Sequence, residues 1–332
     1  MHIDSTPHPY ESLTPDSVLD AVESMDYLSD ARILTLNSYE NRVYQVGIEE
    51  QTPLIAKFYR PDRWSSEQIL EEHSFTQSLL DADIPVVPPL QLQNSTLHHH
   101  GNFDFALFPR RGGHAPELDN LDNLYILGRT LGRIHLVGQT QDFQHRPSLD
   151  SLSFGHQSRQ YLIENQWLPE DQRYEYQRLT AEILELVDAS FEQVNGLKQI
   201  RLHGDCHPGN ILWRDDTAHF VDFDDCRMGP AIQDLWMMIS GDRTQQSIQM
   251  NELVEGYEEF LPFNRAELQL IEPLRALRIM HYAAWLARRW QDPAFPTHFP
   301  WFNTASYWME HMMELQELKQ SIQRPALQVG AF

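Results

Sequence analysis

The sequence predicts an α+β chain of two lobes: a small antiparallel β-sheet lobe over residues 1–108 and a larger, mainly helical lobe over residues 109–332. Three observations lead there. Short β-rich runs separated by turn residues crowd the first part, at 33–36, 42–46, 54–59 and 103–108. Long stretches with apolar residues at helical spacing fill the second, at 124–137, 176–194 and 272–290. A length of 332 residues with 41% hydrophobic side chains also suffices for two lobes and a substantial core.

In order, residues 1–14 are polar and proline-containing, the composition of a loosely held arm. Thr14 and Pro15 suit a helix cap and first position, with Val18, Leu19, Val22 and Met25 as the apolar face. Strands at 33–36 and 42–46 flank a turn at 37–41. The third strand carries Lys57 among apolar neighbours, where a lysine either snorkels to the surface or is held toward a site. A helix from Ser65 to about residue 80 turns Ile69, Phe75 and Leu79 inward. It offers Glu72, or next Glu71, as a carboxylate partner for Lys57; taken singly, either could as well face solvent. His98, His99 and His100 before Gly101 read as an exposed hairpin tip, without the further ligands a metal site needs. Residues 109–113 read as a hinge, the kind of connection whose backbone commonly hydrogen-bonds an adenine ring.

The stretch richest in chemistry is 201–225. His203, Gly204 and Asp205 follow an apolar lead-in, and Asn210 comes five positions after Asp205. Residues 211–213 form a strand and 214–217 a turn. A second strand starting at Phe220 and Val221 delivers Asp222, Asp224 and Asp225 at its end. Such oxygen donors suit Mg²⁺ held against phosphates. A phosphoryl-transfer loop uses the same parts: an Asp base, an Asn five residues on for metal, and a strand-borne Asp for metal. Taken alone, each is an ordinary turn former; the spacing and context together favour a phosphotransferase site. Two other chemistries fit less. His203, Asp205 and His207 could alternate as metal ligands, but Pro208 and Gly209 make the segment a loop. Asp222 and Asp224 also resemble a phosphatase Asp-x-Asp nucleophile, which leaves His203, Asp205 and Asn210 unexplained.

Downstream, residues 229–237 read as a helix opened by Gly229 and Pro230. On it Asp234 sits among apolar residues and either takes hydrogen bonds from the 203–205 backbone or faces solvent. Arg275, Arg278, Arg288 and Arg289 read as a solvated or acid-paired helix face, 293–301 as an aromatic loop, and 308–318 as a last helix. The net charge of −23 argues against unspecific nucleic-acid or anionic-membrane binding and would suit a cationic substrate, although solubility alone explains most of it. No apolar run is long enough to span a bilayer, no signal segment opens the chain, and two cysteines make no disulfide framework. A cytoplasmic monomer is the expectation. Cys206 adjoins Asp205, but a buried, inert thiol is expected there rather than a redox switch.

Together these residues resemble the aminoglycoside phosphotransferase-like kinases, a branch of the protein-kinase-like fold, over about residues 37–290. The longer strings at 36–44, 57–61, 203–207 and 292–296 resemble a bacterial stress-response kinase group within it. The resemblance implies a bilobal protein-kinase-like fold and ATP- and Mg²⁺-dependent phosphorylation of Ser/Thr hydroxyls in protein substrates, in protection from stress and programmed death. It implies Asp205 as the base, Asn210 and Asp222 as Mg²⁺ ligands, Lys57 steadied by Glu72 on phosphate, and Ser38 against the ATP phosphates. This chain departs from the wider kinase pattern in three places. The 37–41 turn has no glycine, Gly204 stands where many kinases carry an arginine that reads activation-loop phosphorylation, and no Ala-Pro-Glu follows Asp222. The competing functions are a small-molecule kinase for an amino alcohol, sugar or aminoglycoside, and a nucleotide-binding scaffold without turnover. Joint retention of Lys57, Asp205, Asn210 and Asp222 argues against the scaffold.

Overall fold

The computed structural model describes residues 9–330 of the chain. Helix α1 (Pro15–Glu23) starts where the sequence places it, with Pro15 at the first position and Thr14 Oγ1 accepting from the Ser17 amide at 3.2 Å. The stretch before it is not loose throughout. Tyr10 and Leu13 are buried, the Tyr10 ring stacks on Phe103 at 5.7 Å, and its hydroxyl donates to the Glu40 carbonyl at 3.0 Å. A single aromatic anchor overrides the polar composition around it; residues 1–8 lie outside the described residues.

Strands β1 (Ser29–Thr35), β2 (Arg42–Ile48), β3 (Leu54–Phe58), β4 (His98–His100) and β5 (Phe103–Pro109) form one antiparallel sheet, ordered β1-β2-β3-β5-β4. Alternation sends Leu54, Ala56 and Phe58 to one face, where they join Val18, Ala21 and Val22 of α1 in a core with Phe103, Phe105 and Leu107. Lys57 therefore emerges on the other face. There α2 (Ser66–Asp81) lies, begun by a capping box between Ser65 and Gln68, with Ile69, Phe75 and Leu79 buried. The three histidines are not a hairpin tip: they are strand β4, with His98 buried against Phe105, and the turn falls at Gly101, whose φ is +61°.

The chain divides into two compact units. The first runs to Ala115 and takes in Gln144–Arg146 and Asn210–Asp224; the second holds Pro116–Phe143, Pro147–Gly209 and the chain from Asp225. The 109–113 connection thus stays with the first unit, and His114 beyond it exchanges backbone hydrogen bonds with Trp213 at 2.7 and 3.1 Å.

Helices α3 (Leu121–Gly138), α4 (Gln157–Glu164) and α5 (Glu170–Gln193) open the second unit, followed by β6 (Ile200–Leu202). The first unit's hairpin is β7 (Ile211–Arg214) and β8 (Thr217–Phe220). Its second strand starts at Thr217 rather than Phe220, because Asp215 and Asp216, at φ +50° and +52°, close a two-residue turn of the hairpin-favoured kind. In the second unit β9 (Arg227–Gly229) pairs with β6. Residues 229–237 do not form one helix. Two 3₁₀ turns, Ala231–Asp234 and Trp236–Met238, occupy that stretch, and all but one of residues 229–239 are buried, so no single stripe directs a helix. Helices α6 (Arg243–Tyr257), α7 (Ile271–Arg289), α8 (Ala294–His298) and α9 (Ala305–Ile322) complete the unit. The aromatic stretch expected as a loop contains α8, whose Phe295 is buried in the α5–α7–α9 core with Tyr176, Met280 and Trp308.

Helices α3 and α6 meet along glycines. A Cβ at Gly128 would run into the Leu253 carbonyl, one at Gly132 into that of Tyr257, and one at Gly256 into that of Tyr125. Replacing Gly128 with alanine should therefore lower unfolding stability by roughly 2 kcal/mol through overpacking. Gly112→Ala, where the nearest atom is the Arg214 guanidinium at 3.8 Å, should change it little. Urea denaturation of both variants checks this.

Candidate active site

In the first unit, burial of Lys57 on the α2 side of the sheet would be prohibitive without partners. It has three. Its Nζ lies 3.0 Å from Asp224 Oδ1, 3.1 Å from Asp222 Oδ1 and 3.7 Å from Glu72 Oε1. Two arginines balance the acids: Arg146 Nη2 is 3.0 Å from Glu72 Oε2, and Arg63 Nη1 pairs with Asp224 Oδ2. Arg146 also donates to the Asp224 carbonyl at 2.6 Å and the Gln68 carbonyl at 2.8 Å. Three cations thus meet three carboxylates. Burial works against the Lys57 charge, but Asp224, Glu72 and Asp222 outweigh it and hold the amine well above the usual lysine range. Burial also opposes the Asp224 charge, and there Arg63, Lys57 and Arg146 win, pulling the carboxyl down. For Glu72 burial prevails over Lys57 and Arg146, and its carboxyl is raised.

Glu72 is accordingly the helical partner of Lys57, while Asp224 stands closer. Glu71 instead accepts from the amides of Gln144, His145 and Arg146 at 2.6–2.9 Å and so fixes the segment that carries Arg146. Asp224, Arg63 and Arg146 were not legible as members of this cluster. The two arginines stand in irregular segments with no periodic pattern, and only the alternation of acids after Val221 hints at Asp224.

The hairpin sets Asn210 beside Asp222. The Asn210 carbonyl accepts from the Val221 amide at 3.0 Å, continuing the ladder past the Ile211–Phe220 pair. Asp222 follows with φ +59°, a left-handed conformation that ends the strand and leads into the 3₁₀ turn Phe223–Asp225. Phe223 packs edge-on against Phe75 of α2 at 5.9 Å, and the Asp222 side chain remains 54% exposed. Ser38 lies half-buried in the β1–β2 bend, outside the elements that form the Lys57 cluster. No residue of 37–41 has positive φ, so the bend needs no glycine; Asn41 Oδ1 accepts from the Arg60 amide at 3.1 Å, and Glu40 pairs with Arg60 at 3.1 Å.

Asp205 belongs to the second unit. Its Oδ1 is 2.5 Å from Arg278 Nη1 and its Oδ2 is 3.5 Å from His207 Nε2. Of the helix-face arginines, Arg278 is therefore not merely solvated. The loop backbone hangs from Asp234, which is fully buried: its carboxylate accepts from the His203 amide at 2.8 Å, the Gly204 amide at 2.9 Å and His135 Nε2 at 3.0 Å. Burial raises this carboxyl, but the His135 hydrogen bond and charge and the loop contacts outweigh it and leave it lowered. His135 Nδ1 meets the Tyr257 hydroxyl at 3.0 Å, and the Gln233 amide donates to the Gly204 carbonyl at 2.9 Å. Gly204 has φ +87°, and a Cβ there would strike the Asp225 carbonyl, so the geometry admits only glycine. Cys206 is buried, and burial followed by Asp234 and Asp205 pushes its thiol well up, as an inert thiol requires. Among the described residues no three His, Cys, Asp or Glu gather as a metal-ligand set, so the His203–Asp205–His207 alternative gains no shell.

The first unit thus holds a lysine buried in a carboxylate cluster and a hairpin presenting Asn and Asp, and the second holds an aspartate on a loop slung from a buried aspartate; the class of protein, a phosphotransferase, comes from the sequence. The sequence matches the Phosphotransferase enzyme family over residues 32–271, and the chain belongs to that family. It is 43% identical to stress response kinase A of Escherichia coli (strain K12) over 96% of this chain and 97% of that one. It is 42% identical to the serine/threonine protein kinase RdoA of Salmonella typhimurium, with the same coverage. Among solved structures, an amicoumacin kinase bound to AMP-PNP, Ca²⁺ and amicoumacin superposes with a TM-score of 0.71 at 20% identity, covering 97% of this chain and 96% of that one. A microcompartment-associated aminopropanol kinase gives 0.65 at 17% identity, covering 91% and 96%. These two likenesses establish the kinase-like fold.

Removing the Asp234 carboxylate strands two buried amides and His135, so Asp234→Ala should cost about 3–5 kcal/mol of stability, measurable by urea denaturation. Glu267 supports the same region by accepting from the Ile232 amide at 3.0 Å; burial pushes its carboxyl up to about 7. A folded value above the unfolded one means its contribution is fully present below about pH 4.5 and is lost as pH rises through about 7. Glu267→Gln, which keeps an acceptor oxygen, should therefore be more stable than wild type at pH 8 by roughly 2–4 kcal/mol, with the gain vanishing near pH 4.

Proposed function

We propose that the chain is an ATP- and Mg²⁺-dependent kinase that phosphorylates Ser/Thr hydroxyls of proteins in a bacterial stress response. The observation that carries this reading is full-length similarity above 40% to proteins named as stress response and serine/threonine kinases. Residues 1–108 would serve chiefly nucleotide binding and 109–332 the acceptor, with the enzyme acting as a cytoplasmic monomer. No helix among the described residues is long and apolar enough to cross a membrane.

The residues fit the groups this chemistry needs. Asn210 and Asp222 offer an amide and a carboxylate oxygen from adjacent hairpin ends, a hard donor pair that leaves room for phosphate and water on a small cation. When bound, Mg²⁺–ATP supplies the phosphoryl group and much of the charge neutralisation. Lys57 would offer its ammonium to phosphate, with Asp224 and Glu72 holding the amine in place. Ser38 would contact phosphate through its hydroxyl or amide. Asp205 orients the acceptor hydroxyl and takes its proton, with the loop fixed by Asp234.

Purified protein, γ-labelled ATP and Mg²⁺ with a generic protein acceptor test this reading. Label should appear on protein Ser/Thr with wild type and vanish with Asp205→Asn. Transfer to small alcohols alone would replace it with a small-molecule kinase, and nucleotide binding without Asp205-dependent transfer would leave a scaffold. Within a working kinase, Asp224→Asn should raise KM for ATP about tenfold, since it removes the closest ion pair of Lys57.

A further inference from the structure

The net charge of −23 suggests a cationic acceptor, yet the side chain that reaches Asp205 most closely is itself a cation. Arg278 reaches Asp205 Oδ1 from α7, and its side chain is 41% exposed. Other arginines of the second unit differ in how far they are committed. Arg275 is taken by Glu272 at 3.0 Å and Arg227 by Asp225 at 2.8 Å. Arg288 is exposed, lies over the Tyr161 ring at 4.8 Å, and makes one long hydrogen bond of 3.5 Å to the Gln157 carbonyl. Among the described residues no carboxylate pairs with Arg288.

Helical geometry puts positions 278, 281 and 288 on one face of α7. His281, between the two arginines, stacks on Phe154 with centroids 4.2 Å apart. Burial first, then Arg227, Arg288 and Arg278, with Asp225 opposing, lower this imidazole to about 3, so it adds no positive charge of its own.

An acceptor hydroxyl must come within hydrogen-bonding reach of Asp205, hence within a few ångströms of the Arg278 guanidinium. A lysine or arginine beside that hydroxyl would meet like charge. A carboxylate beside it would draw Arg278 to itself and release Oδ1 of Asp205 for the hydroxyl. We propose that Arg278, assisted by Arg288, selects acidic acceptors: Ser or Thr flanked by Asp or Glu. The inference rests on the protein-kinase reading above and makes Arg278 a specificity-determining residue.

Three synthetic peptides with one central Ser, flanked on both sides by Glu, by Ala or by Lys, test it. Phosphorylation by wild type, Arg278→Gln, Arg278→Lys and Arg288→Gln is compared as ratios of kcat/KM, with Asp205→Asn as the background. Wild type should favour the Glu peptide over the Lys peptide by at least about tenfold, an advantage that shrinks at high salt. Arg278→Gln should erase most of that ratio whatever its absolute rate, Arg278→Lys should keep part of it, and Arg288→Gln should reduce it about threefold. A ratio of this kind is insensitive to partial misfolding. Peptide phosphorylation by wild type without acidic preference, or a preference unchanged in Arg278→Gln, would overturn the proposal and leave the protein-kinase reading standing. No label on any peptide, together with Asp205-dependent transfer to a small amino alcohol, would overturn both.

Discussion

The carboxylate of Asp234 is the constraint on which the conformation of the 203–205 loop depends. Ionised and fully buried, it is tolerable only because the His203 and Gly204 amides and His135 surround it with hydrogen-bond donors. That requirement fixes the loop backbone one residue before Asp205. It also explains why residues 231–238 break into two 3₁₀ turns, since the turn ending at Asp234 must aim its side chain at the loop while its neighbours fill the core. The support continues outward through His135 to Tyr257 at the end of α6, whose glycine seam with α3 sets the position of both. A rigid frame of this kind gives Asp205 a defined direction without any covalent or metal tie.

The first unit solves a different problem by different means. A positive charge must be kept in a dry place, and Lys57 keeps one among acids that two arginines hold in turn. Equal numbers of cations and carboxylates keep the cluster near neutrality, which limits the cost of burying it. Asp222 is the member with most solvent exposure and lies in a left-handed conformation, so it is the one free to exchange partners while Asp224 stays.

Much of this was legible from residues alone, and the failures have physical causes. Lys57, Glu72, Asn210 and Asp222 were read from strand, helix and hairpin patterns, and the structure gathers Lys57, Glu72 and Asp222 and sets Asn210 beside Asp222. The hydrogen bonds that Asp234 accepts from the loop amides were one of two readings of that residue and are the ones that form. Arg63, Arg146 and Arg278 were missed as site residues because long-range pairing across some 75–160 residues leaves no local signature. Tyr10, the β4 histidines and α8 went wrong where tertiary packing overrode composition: an aromatic anchor, an edge strand and a buried Phe295.

Gly204 has an evolutionary corollary. Its left-handed backbone and the adjoining Asp225 carbonyl leave no volume for any side chain, so the arginine that many kinases carry there cannot be acquired by a single codon change without rebuilding the loop. Lineages that share this backbone are barred from that style of phosphate-gated control.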